Sequence, residues 1–381
     1  STFVGGNSNE ELRDVAVDGQ GNVYVTGGTG STNFPTTPGA YQRTHNGLYD
    51  TFVMKFGPAG NLIWSTLVGG PNYERGYAIE VDNLGYVVVG GRGAVGSPIT
   101  AGVYQPTFKG STYPPGGSYG TSQSAYLFKL SPDGSQLVWA SYFGVGSLHR
   151  DIAVDANNDI YVAWSYPNNP ANPYTSTWMQ PAWNANSFLK TPLGATDGGV
   201  AKIKSDGTQV VWATYMGGSA GDGEAGSVRV DSTGVYYYSS TTSTNIPTTP
   251  GAFDRTDNGG WDNYLVKLAL NGSTLTYGTY LGTSADEFDG THQLAVDAQG
   301  NAFLVGFTNS PSFPVTPGAF QGTFGGGTSN DNTISKFGPA GQLLASTYLG
   351  GSGGDLVEGI AVDTQGNVYC SGQTDSSNFP V

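Results

Sequence analysis

The segment Val17-Asp-Gly-Gln-Gly-Asn-Val-Tyr-Val-Thr-Gly27 places a short polar turn between two apolar stretches. Glycine and asparagine readily adopt the positive φ angles of tight turns, and an aspartate such as Asp18 closes a turn through its side chain. Short segments rich in Val, Ile and Tyr between such turns are typical of β-strands. The segment therefore predicts two short strands joined by a tight turn.

The Val-Asp dipeptide that opens this turn occurs six times, at intervals of 64 to 76 residues. Its aspartates are Asp18, Asp82, Asp155, Asp231, Asp297 and Asp363. In the first five copies a long loop follows the second strand and leads to a third strand that ends in lysine. These lysines are Lys55, Lys129, Lys202, Lys267 and Lys336. A tight turn then leads into a fourth strand, so each full copy predicts four antiparallel strands.

A single four-stranded sheet cannot bury both of its faces, whereas radial stacking of such sheets buries them and leaves only short edges. The repeat therefore predicts an all-β fold, a six-bladed β-propeller of four-stranded antiparallel blades, with residues 1–381 as a single domain. A linear β-solenoid is the alternative, although its coils usually have shorter periods. The sequence shows no amphipathic helical stretch of useful length.

The loops after the second strands carry a recurring motif, Asn-Phe-Pro or a close variant followed by Thr-Pro-Gly-Ala and an aromatic residue. Examples begin at Asn33, Asn245 and Ser312, and a truncated copy begins at Asn378. Together with the GNVYVTG and STYLGG strands, this motif resembles the bacterial β-propeller repeat family called SBBP. The resemblance implies an exported or surface-attached bacterial protein, and it implies no catalytic residues.

The two ends of the chain fall inside the repeat. Ser1-Thr-Phe-Val-Gly-Gly6 matches the end of a fourth strand, as in Ser346-Thr-Tyr-Leu-Gly-Gly351, while the sixth copy stops after two strands. We therefore expect the N-terminal strand to complete the last blade, with Thr2 to Gly5 in the sheet that contains Val368 to Ser371. We also expect the chain to be a piece of a longer one, and further domains or chains could associate at the incomplete sixth blade.

The composition limits the classes of partner. The formal net charge is -14, which argues against nucleic acids and anionic membranes because both require a basic patch. The sequence holds one cysteine, Cys370, and no apolar run of 18 residues. Low charge combined with abundant Gly, Ser, Thr, Asn and Tyr favours a secreted or cell-surface location.

In the predicted propeller, the loops between strands 2 and 3 and those between strand 4 and the next strand 1 share one side, here called the long-loop face. Long variable loops are where binding usually resides. The second set of loops also gathers carboxylates there. The candidates for contact with a cation or a substrate are Glu74, Glu224, Asp286, Asp289 and Asp355. Such a rim could bind Ca²⁺, or its acids could simply be solvated.

Residues that recur in every copy are expected to build the blade. The strand-3 lysines should pair with carboxylates, most often those of the Val-Asp aspartates, since buried lysines rarely stand unpaired. Trp64, Trp139 and Trp212 occupy equivalent positions and are expected to pack.

Residues that occur in one copy need another explanation. The 2→3 loop of the third copy, roughly Ser165 to Gly199, is rich in aromatic residues, and the fourth copy adds Trp261. The candidate ligand-binding residues are Tyr166, Tyr174, Trp178, Trp183 and Trp261. Exposed aromatic rings beside amides suit stacking on sugars or docking on a protein. The alternative is that the rings form a small core beneath the insertion.

Two functions follow as hypotheses. The first is a non-enzymatic extracellular binding or scaffold module that recognises a glycan or a protein partner on the long-loop face. The alternative is an enzyme acting on polysaccharide through carboxylates of the acidic rim, because paired carboxylates can cleave glycosides. A concave pocket with convergent polar groups would favour the enzyme, and an exposed patch would favour the binding module.

Overall fold

A computed structural model describes residues 2–112, 122–144, 148–167, 183, 185–194, 196–223, 226–290, 292–326 and 329–380. Within these residues the chain forms 24 β-strands in six sheets, one sheet for each repeat. No helix in the same residues is long and apolar enough to cross a membrane. The all-β class predicted from the repeat is confirmed for this part of the chain.

The first sheet contains β1 (Glu10–Val17), β2 (Val23–Thr29), β3 (Asp50–Phe56) and β4 (Leu62–Val68). The second contains β5 (Arg75–Val81), β6 (Val87–Gly93), β7 (Ser111–Thr112), β8 (Ser122–Leu130) and β9 (Leu137–Phe143). The third contains β10 (Leu148–Val154), β11 (Ile160–Pro167), β12 (Thr196–Ile203) and β13 (Val210–Met216). The fourth contains β14 (Ser227–Val230), β15 (Val235–Thr241), β16 (Asp262–Leu268) and β17 (Leu275–Leu281). The fifth contains β18 (Glu287–Phe288), β19 (Leu294–Val296), β20 (Ala302–Thr308), β21 (Asp331–Phe337) and β22 (Leu343–Leu349), and the sixth contains β23 (Asp355–Val362) and β24 (Val368–Thr374).

The strands of each sheet follow one another in chain order, as the repeat predicts. In the first sheet β1, β2, β3 and β4 pair antiparallel, and the register places Val25 opposite both Val15 and Met54. Two sheets depart from four plain strands. The short β7 adds to β8 in the second sheet, and the first strand of the fifth sheet is divided into β18 and β19, which both pair with β20.

The chain folds into two compact units. The first consists mainly of Ser1–Val162 and Lys202–Val211, and its core includes Tyr24, Trp64 and Tyr126. The second consists mainly of Pro181–Ala201 and Trp212–Val381, and its core includes Leu304 and Tyr348. The blade count of a closed propeller and the single domain over residues 1–381 stay predictions.

The predicted completion of the last blade is not confirmed. The sixth sheet consists of β23 and β24 alone, and Thr2 to Gly5 form no strand among the described residues. A fourth strand pairs with a third strand in the other sheets, and the sixth repeat supplies no third strand here. The N-terminal segment instead resembles the 4→1 loops, because the amide of Asn7 donates to Asn33 Oδ1 at 2.7 Å.

The same asparagine contact explains the Asn-Phe-Pro motif in structural terms. Asn245 Oδ1 accepts the amide hydrogen of Ser219 at 2.8 Å, and Asn378 Oδ1 accepts that of Ser352 at 2.8 Å. In each case the asparagine after strand 2 holds the preceding 4→1 loop, about 26 residues earlier in the chain. The motif therefore belongs to the framework of the repeat.

The recurrent tryptophans of strand 4 connect successive repeats, which confirms their predicted packing role. The indole nitrogens of Trp64, Trp139 and Trp212 donate to carbonyl oxygens in the 3→4 turn of the next repeat, each at 3.0 Å. The same turns contain Gly134, Gly207 and Gly272, with φ of 68°, 70° and 67°. A Cβ on any of these glycines would collide with the indole ring, so the turn requires glycine for both its conformation and its contact.

The recurrent lysines pair as predicted in four of the five full repeats. The Nζ–Oδ2 distances are 2.7 Å for Lys129–Asp82, 2.9 Å for Lys202–Asp155, 4.0 Å for Lys267–Asp231 and 3.7 Å for Lys336–Asp297. Lys55 makes no such ion pair in the described part of the chain. Its ammonium lies 4.9 Å from the centroid of the Tyr24 ring, and the Tyr24 hydroxyl donates to Asp18 at 3.0 Å. Lys202 and Lys267 contact the equivalent rings of Tyr161 and Tyr236 and still reach their aspartates, so the ring contact alone does not account for the difference at Lys55.

Candidate functional site

The carboxylates of the 4→1 loops form a recurrent structural network. Glu74 and Asp355 accept the amide hydrogens of the residues four positions earlier, at 2.8 and 2.7 Å. Their other contacts come from hydroxyl groups after strand 2, including Ser97 on Glu74 at 2.8 Å and Ser376 on Asp355 at 2.8 Å. Both side chains are buried. These two candidates of the acidic rim therefore hold the loop in place, and solvent does not reach their oxygens.

The remaining acids of the predicted rim differ in their surroundings. Asp286 is half-buried, and its Oδ1 accepts the amide hydrogen of Trp261 at 3.1 Å. Asp289 is half-buried as well, and desolvation raises the pKa of its carboxyl to about 6. Glu224 lies outside the described residues. Among those residues, no group of three or more His, Cys, Asp or Glu side chains could hold a metal ion. The contact of this rim with a cation or a substrate stays a prediction.

A second set of acids was missed at the sequence level. Strand 3 has a buried aspartate as its first or second residue in four repeats, namely Asp50, Asp197, Asp262 and Asp331. One carboxylate oxygen of each accepts a backbone amide hydrogen from the preceding loop, at 2.7 to 3.1 Å. The other oxygen, Oδ1, is buried and has no hydrogen-bond partner among the residues that the structure describes. A constant spacing in the sequence could have identified these acids, because each aspartate stands five residues before the recurrent lysine.

Each of these aspartates lies beside the 4→1 carboxylate of the next repeat. A Cβ on Gly217, for example, would collide with Asp197 Oδ1 and would sit 2.5 Å from Asp222 Oδ2. Desolvation raises the pKa of Asp197 to about 7, with the charge of Asp222 adding to the effect. Two adjacent carboxyl groups in a buried site cannot both ionise without a large cost. Each pair is therefore suited to retain a proton to a higher pH than an isolated carboxyl group.

The pairs are a property of the repeat. They occur as Asp50 with Glu74, Asp197 with Asp222, Asp262 with Glu287 and Asp331 with Asp355. In the one remaining full repeat the equivalent residue of strand 3 is Ser124, and the following 4→1 loop has no acid either. The two partners are thus present or absent together. A catalytic site is normally used once, so we interpret the pairs as structural.

The aromatic candidates are only partly described by the structure. Trp183 is buried, with 8% of its side chain exposed, and so presents no open ring. Tyr174 and Trp178 lie outside the described residues, and so does the side chain of Tyr166. The ligand-binding role of the 165–199 insertion stays a prediction. Trp183 is an unsuitable anchor for a ligand because it is buried.

Trp261 belongs to a row of half-buried aromatic side chains in the second unit. Its ring centroid lies 6.0 Å from that of Phe288, and Phe288 lies 5.4 Å from Phe307. Phe288 and Phe307 have no aromatic counterpart at their positions in the other repeats, whereas Trp261 corresponds to Tyr49 of the first repeat. Trp261 comes from the loop before β16, Phe288 from β18 and Phe307 from β20, so the row lies on the long-loop side of two neighbouring repeats.

An open groove of about 510 Å³ begins where this row ends. Phe307 forms one wall, and Leu356 of β23 adds apolar surface. Amide side chains of Asn330 and Gln373 line the polar part, next to Thr374 of β24. Pockets that bind sugars combine an apolar or aromatic surface with a few amide and hydroxyl groups, and this groove has that combination.

The comparison with sequence families agrees with this architecture. Residues 5–35 and 346–380 match the SBBP family model, described as a beta-propeller repeat. The chain carries SBBP β-propeller repeats. The resemblance inferred from the Asn-Phe-Pro, GNVYVTG and STYLGG segments is confirmed. The two matched regions contain the first two strands of the first and of the last repeat, with the Asn33 and Asn378 contacts and the Val-Asp turns described above.

Two curated proteins are similar over parts of the chain. The regulatory protein FlaEY of Caulobacter vibrioides is 26% identical over 265 residues, which cover 68% of this chain and 26% of FlaEY. The uncharacterized WD repeat-containing protein L264 of Acanthamoeba polyphaga mimivirus is 28% identical over 172 residues, 42% of this chain and 12% of L264. The SBBP-repeat chain thus spans about a quarter or less of these relatives.

A solved structure of an ulvan lyase from a polysaccharide lyase family is also similar. Its TM-score is 0.46 at 11% identity, over 99% of this chain and 81% of the lyase. A likeness at this level says nothing about function.

Proposed function

We propose that this chain is a non-enzymatic extracellular or cell-surface binding module that recognises a glycan on its long-loop face. The observation that carries the proposal is the row Trp261, Phe288 and Phe307, which leads into a groove lined by Asn330 and Gln373. Aromatic faces stack on the C–H surface of sugar rings, and amides exchange hydrogen bonds with hydroxyl groups. Phe288 and Phe307 have no aromatic counterpart in the other repeats, which supports a role for them other than building the blade.

The alternative, an enzyme acting on polysaccharide, has less support from the groove. Two carboxylates line the groove, Asp355 and the exposed Asp375, but both oxygens of Asp355 are engaged by Thr374, Ser376 and the amide of Gly351, so the groove does not offer a pair of available carboxylates. A general acid or base must present its oxygen to the substrate. We therefore assign Asp355 to the framework of the binding site.

Replacing Trp261 or Phe307 by alanine is expected to weaken glycan binding by about ten-fold or more, because a stacked aromatic anchor contributes ~2 kcal/mol. The measurement is affinity electrophoresis against a panel of neutral and acidic polysaccharides, followed by calorimetric titration with any polysaccharide that retards the protein. Phe320→Ala is the matched control. Phe320 is 73% exposed, lies in a loop of the same unit, and stands at a position where the other loops also carry aromatic residues.

Equal retention of W261A, F307A and the unaltered protein would exclude this site. Failure of every polysaccharide to retard the unaltered protein would refute the glycan proposal and leave a protein partner as the ligand to be sought.

A further inference from the structure

The groove beside Phe307 is acidic on the side formed by the sixth sheet. Its lining includes the carboxylates of Asp355 and Asp375, and no lysine or arginine is among the described residues that line it. The sequence around the groove has the same bias. Residues 337–381 contain four acidic residues and no lysine or arginine. Residues 212–381 hold 15 of the 29 acidic residues and 4 of the 15 basic ones, and so carry -11 of the net charge of -14.

Asp375 presents a carboxylate that is available to a ligand. The residue is exposed, and its side chain forms no hydrogen bond or ion pair with another described residue. Its backbone is held in place, because the Asp375 amide donates to the carbonyl oxygen of Gly354 at 2.9 Å. Gly354 also lines the groove. A carboxylate on such a fixed backbone can pair with a cationic group of a ligand without giving up a partner in the protein.

The amide of Gln373 is turned so that its oxygen remains free. Its Nε2 donates to Glu358 Oε1 at 2.9 Å. A carboxylate can only accept hydrogen bonds, so the nitrogen of the amide has to face Glu358. No described residue donates to Gln373 Oε1, which therefore can accept a hydrogen bond from a ligand. This side of the groove thus offers two acceptors, Gln373 Oε1 and the Asp375 carboxylate, without a neighbouring cation in the lining.

We propose that the groove selects glycans that carry free, protonated amino groups. An ammonium group has three donors and no acceptor, so it matches the Asp375 carboxylate and the oxygen of Gln373. Phe307 supplies the apolar wall for the face of the same sugar ring. An acidic sugar is disfavoured, because its carboxylate would face Asp375 and Asp355. This inference rests on the proposed glycan-binding function and names the class of sugar.

The test is calorimetric titration of the intact chain with tetramers of glucosamine, glucose and galacturonic acid at about pH 6, where amino groups are protonated. The glucosamine and glucose tetramers are both β-1,4-linked and differ in having an ammonium or a hydroxyl group at C2. The glucosamine tetramer is expected to bind about five-fold tighter than the glucose tetramer, near the upper limit for an exposed ion pair. The galacturonic acid tetramer should bind most weakly.

The salt dependence gives a second readout. Raising sodium chloride from about 0.05 M to about 0.5 M is expected to bring the affinity for the glucosamine tetramer close to that for the glucose tetramer, because salt screens exposed charges. The affinity for the glucose tetramer should stay constant, since no charge on that ligand is involved.

Asp375→Asn separates the charge from the shape of the site. It keeps an acceptor oxygen and removes the negative charge, so it is expected to lower the affinity for the glucosamine tetramer about five-fold and to leave that for the glucose tetramer unchanged. Asp363→Asn is the matched control. It removes the same charge from the same sheet, in the Val-Asp turn at the opposite end of β23 and β24. The melting temperatures of both variants check that they remain folded.

The outcomes separate this inference from the proposed function. Equal affinities for the glucosamine and glucose tetramers, or equal effects of D375N and D363N, would overturn the inference and leave glycan binding in place. Tighter binding of the galacturonic acid tetramer would overturn it as well. Absence of binding by the glucosamine tetramer also refutes it, and the polysaccharide panel with W261A and F307A then decides the proposed function independently.

Discussion

Replacing Lys129 by methionine is expected to lower the free energy of unfolding by about 3 kcal/mol, because the change leaves a buried carboxylate without its counter-charge. Lys129 and Asp82 form an ion pair at 2.7 Å, and 7% and 0% of their side chains are exposed. Asp82 Oδ1 is held by the amides of Leu84 and Tyr86, both at 2.9 Å, so the carboxylate cannot turn away. Denaturant titration monitored by tryptophan fluorescence measures the effect.

The chain provides its own control at the equivalent position of the first repeat. Lys55 occupies the same place on strand 3 but contacts the Tyr24 ring and makes no ion pair with Asp18 in the described part of the chain. Lys55→Met is therefore expected to cost about 1 kcal/mol or less, the value of a partly exposed cation–π contact. Adding Asp82→Asn to K129M should restore part of the lost stability. Equal losses for K129M and K55M would show that the ion pair is not the stabilising contact.

The features predicted correctly from sequence are those fixed by local chemistry. The turn that begins at Asp18 could be predicted because its hydrogen-bond donors and acceptors lie within a few residues of one another. The Asp18 carboxylate accepts hydrogen bonds from the backbone amides of Gln20 and Asn22, both at 2.9 Å. The lysine–aspartate ion pairs could be predicted because both residues recur in each full repeat. Strands 2 and 3 are neighbours, so a constant spacing in sequence gives a constant geometry in space.

The features that were missed depend on contacts between repeats. Asp262 looked like an ordinary polar residue at the start of a strand, because its burial is completed by Gly282 and Glu287 after the following strand. The proximity of Arg75 and Arg92 depends on the register that sets them opposite each other, and a one-residue shift would place them on different faces. Trp183 was expected as an exposed anchor, although sequence does not reveal whether a loop covers its own aromatic residues.

The carboxyl pairs predict that a single substitution changes how stability depends on pH. Asp262 is fully buried, and desolvation raises its pKa to about 7, with the charge of Glu287 adding to the effect. The folded state therefore binds this proton more tightly than the unfolded state, so the stability contributed by protonated Asp262 is present at low pH and is lost as pH rises towards 7. Acids with a lowered pKa, such as Asp363, are ionised in both the folded and the unfolded state above pH 5. Their contribution to the free energy of unfolding therefore does not change above that pH.

One group acts in the opposite direction within the same range. Burial lowers the pKa of His149 to about 3, so the folded state loses stability as pH falls below the ordinary histidine value of about 6.5. The total pH dependence of the protein is therefore a sum of opposed contributions. The informative quantity is the difference in the free energy of unfolding between a variant and the unaltered protein at each pH.

Asp262→Asn is expected to be nearly neutral at pH 5 and to stabilise the protein by about 2 kcal/mol at pH 8, because the amide replaces a carboxyl that must ionise in a buried site. The amide oxygen can still accept the Asn258 hydrogen bond of 2.7 Å, and the amide nitrogen can donate to Glu287. Denaturant titrations at pH 5, 6, 7 and 8 measure the difference. Asp363→Asn is the control, since its effect should not change over this range. If the difference in the free energy of unfolding between D262N and the unaltered protein is also independent of pH, Asp262 is already ionised in the folded protein at pH 5.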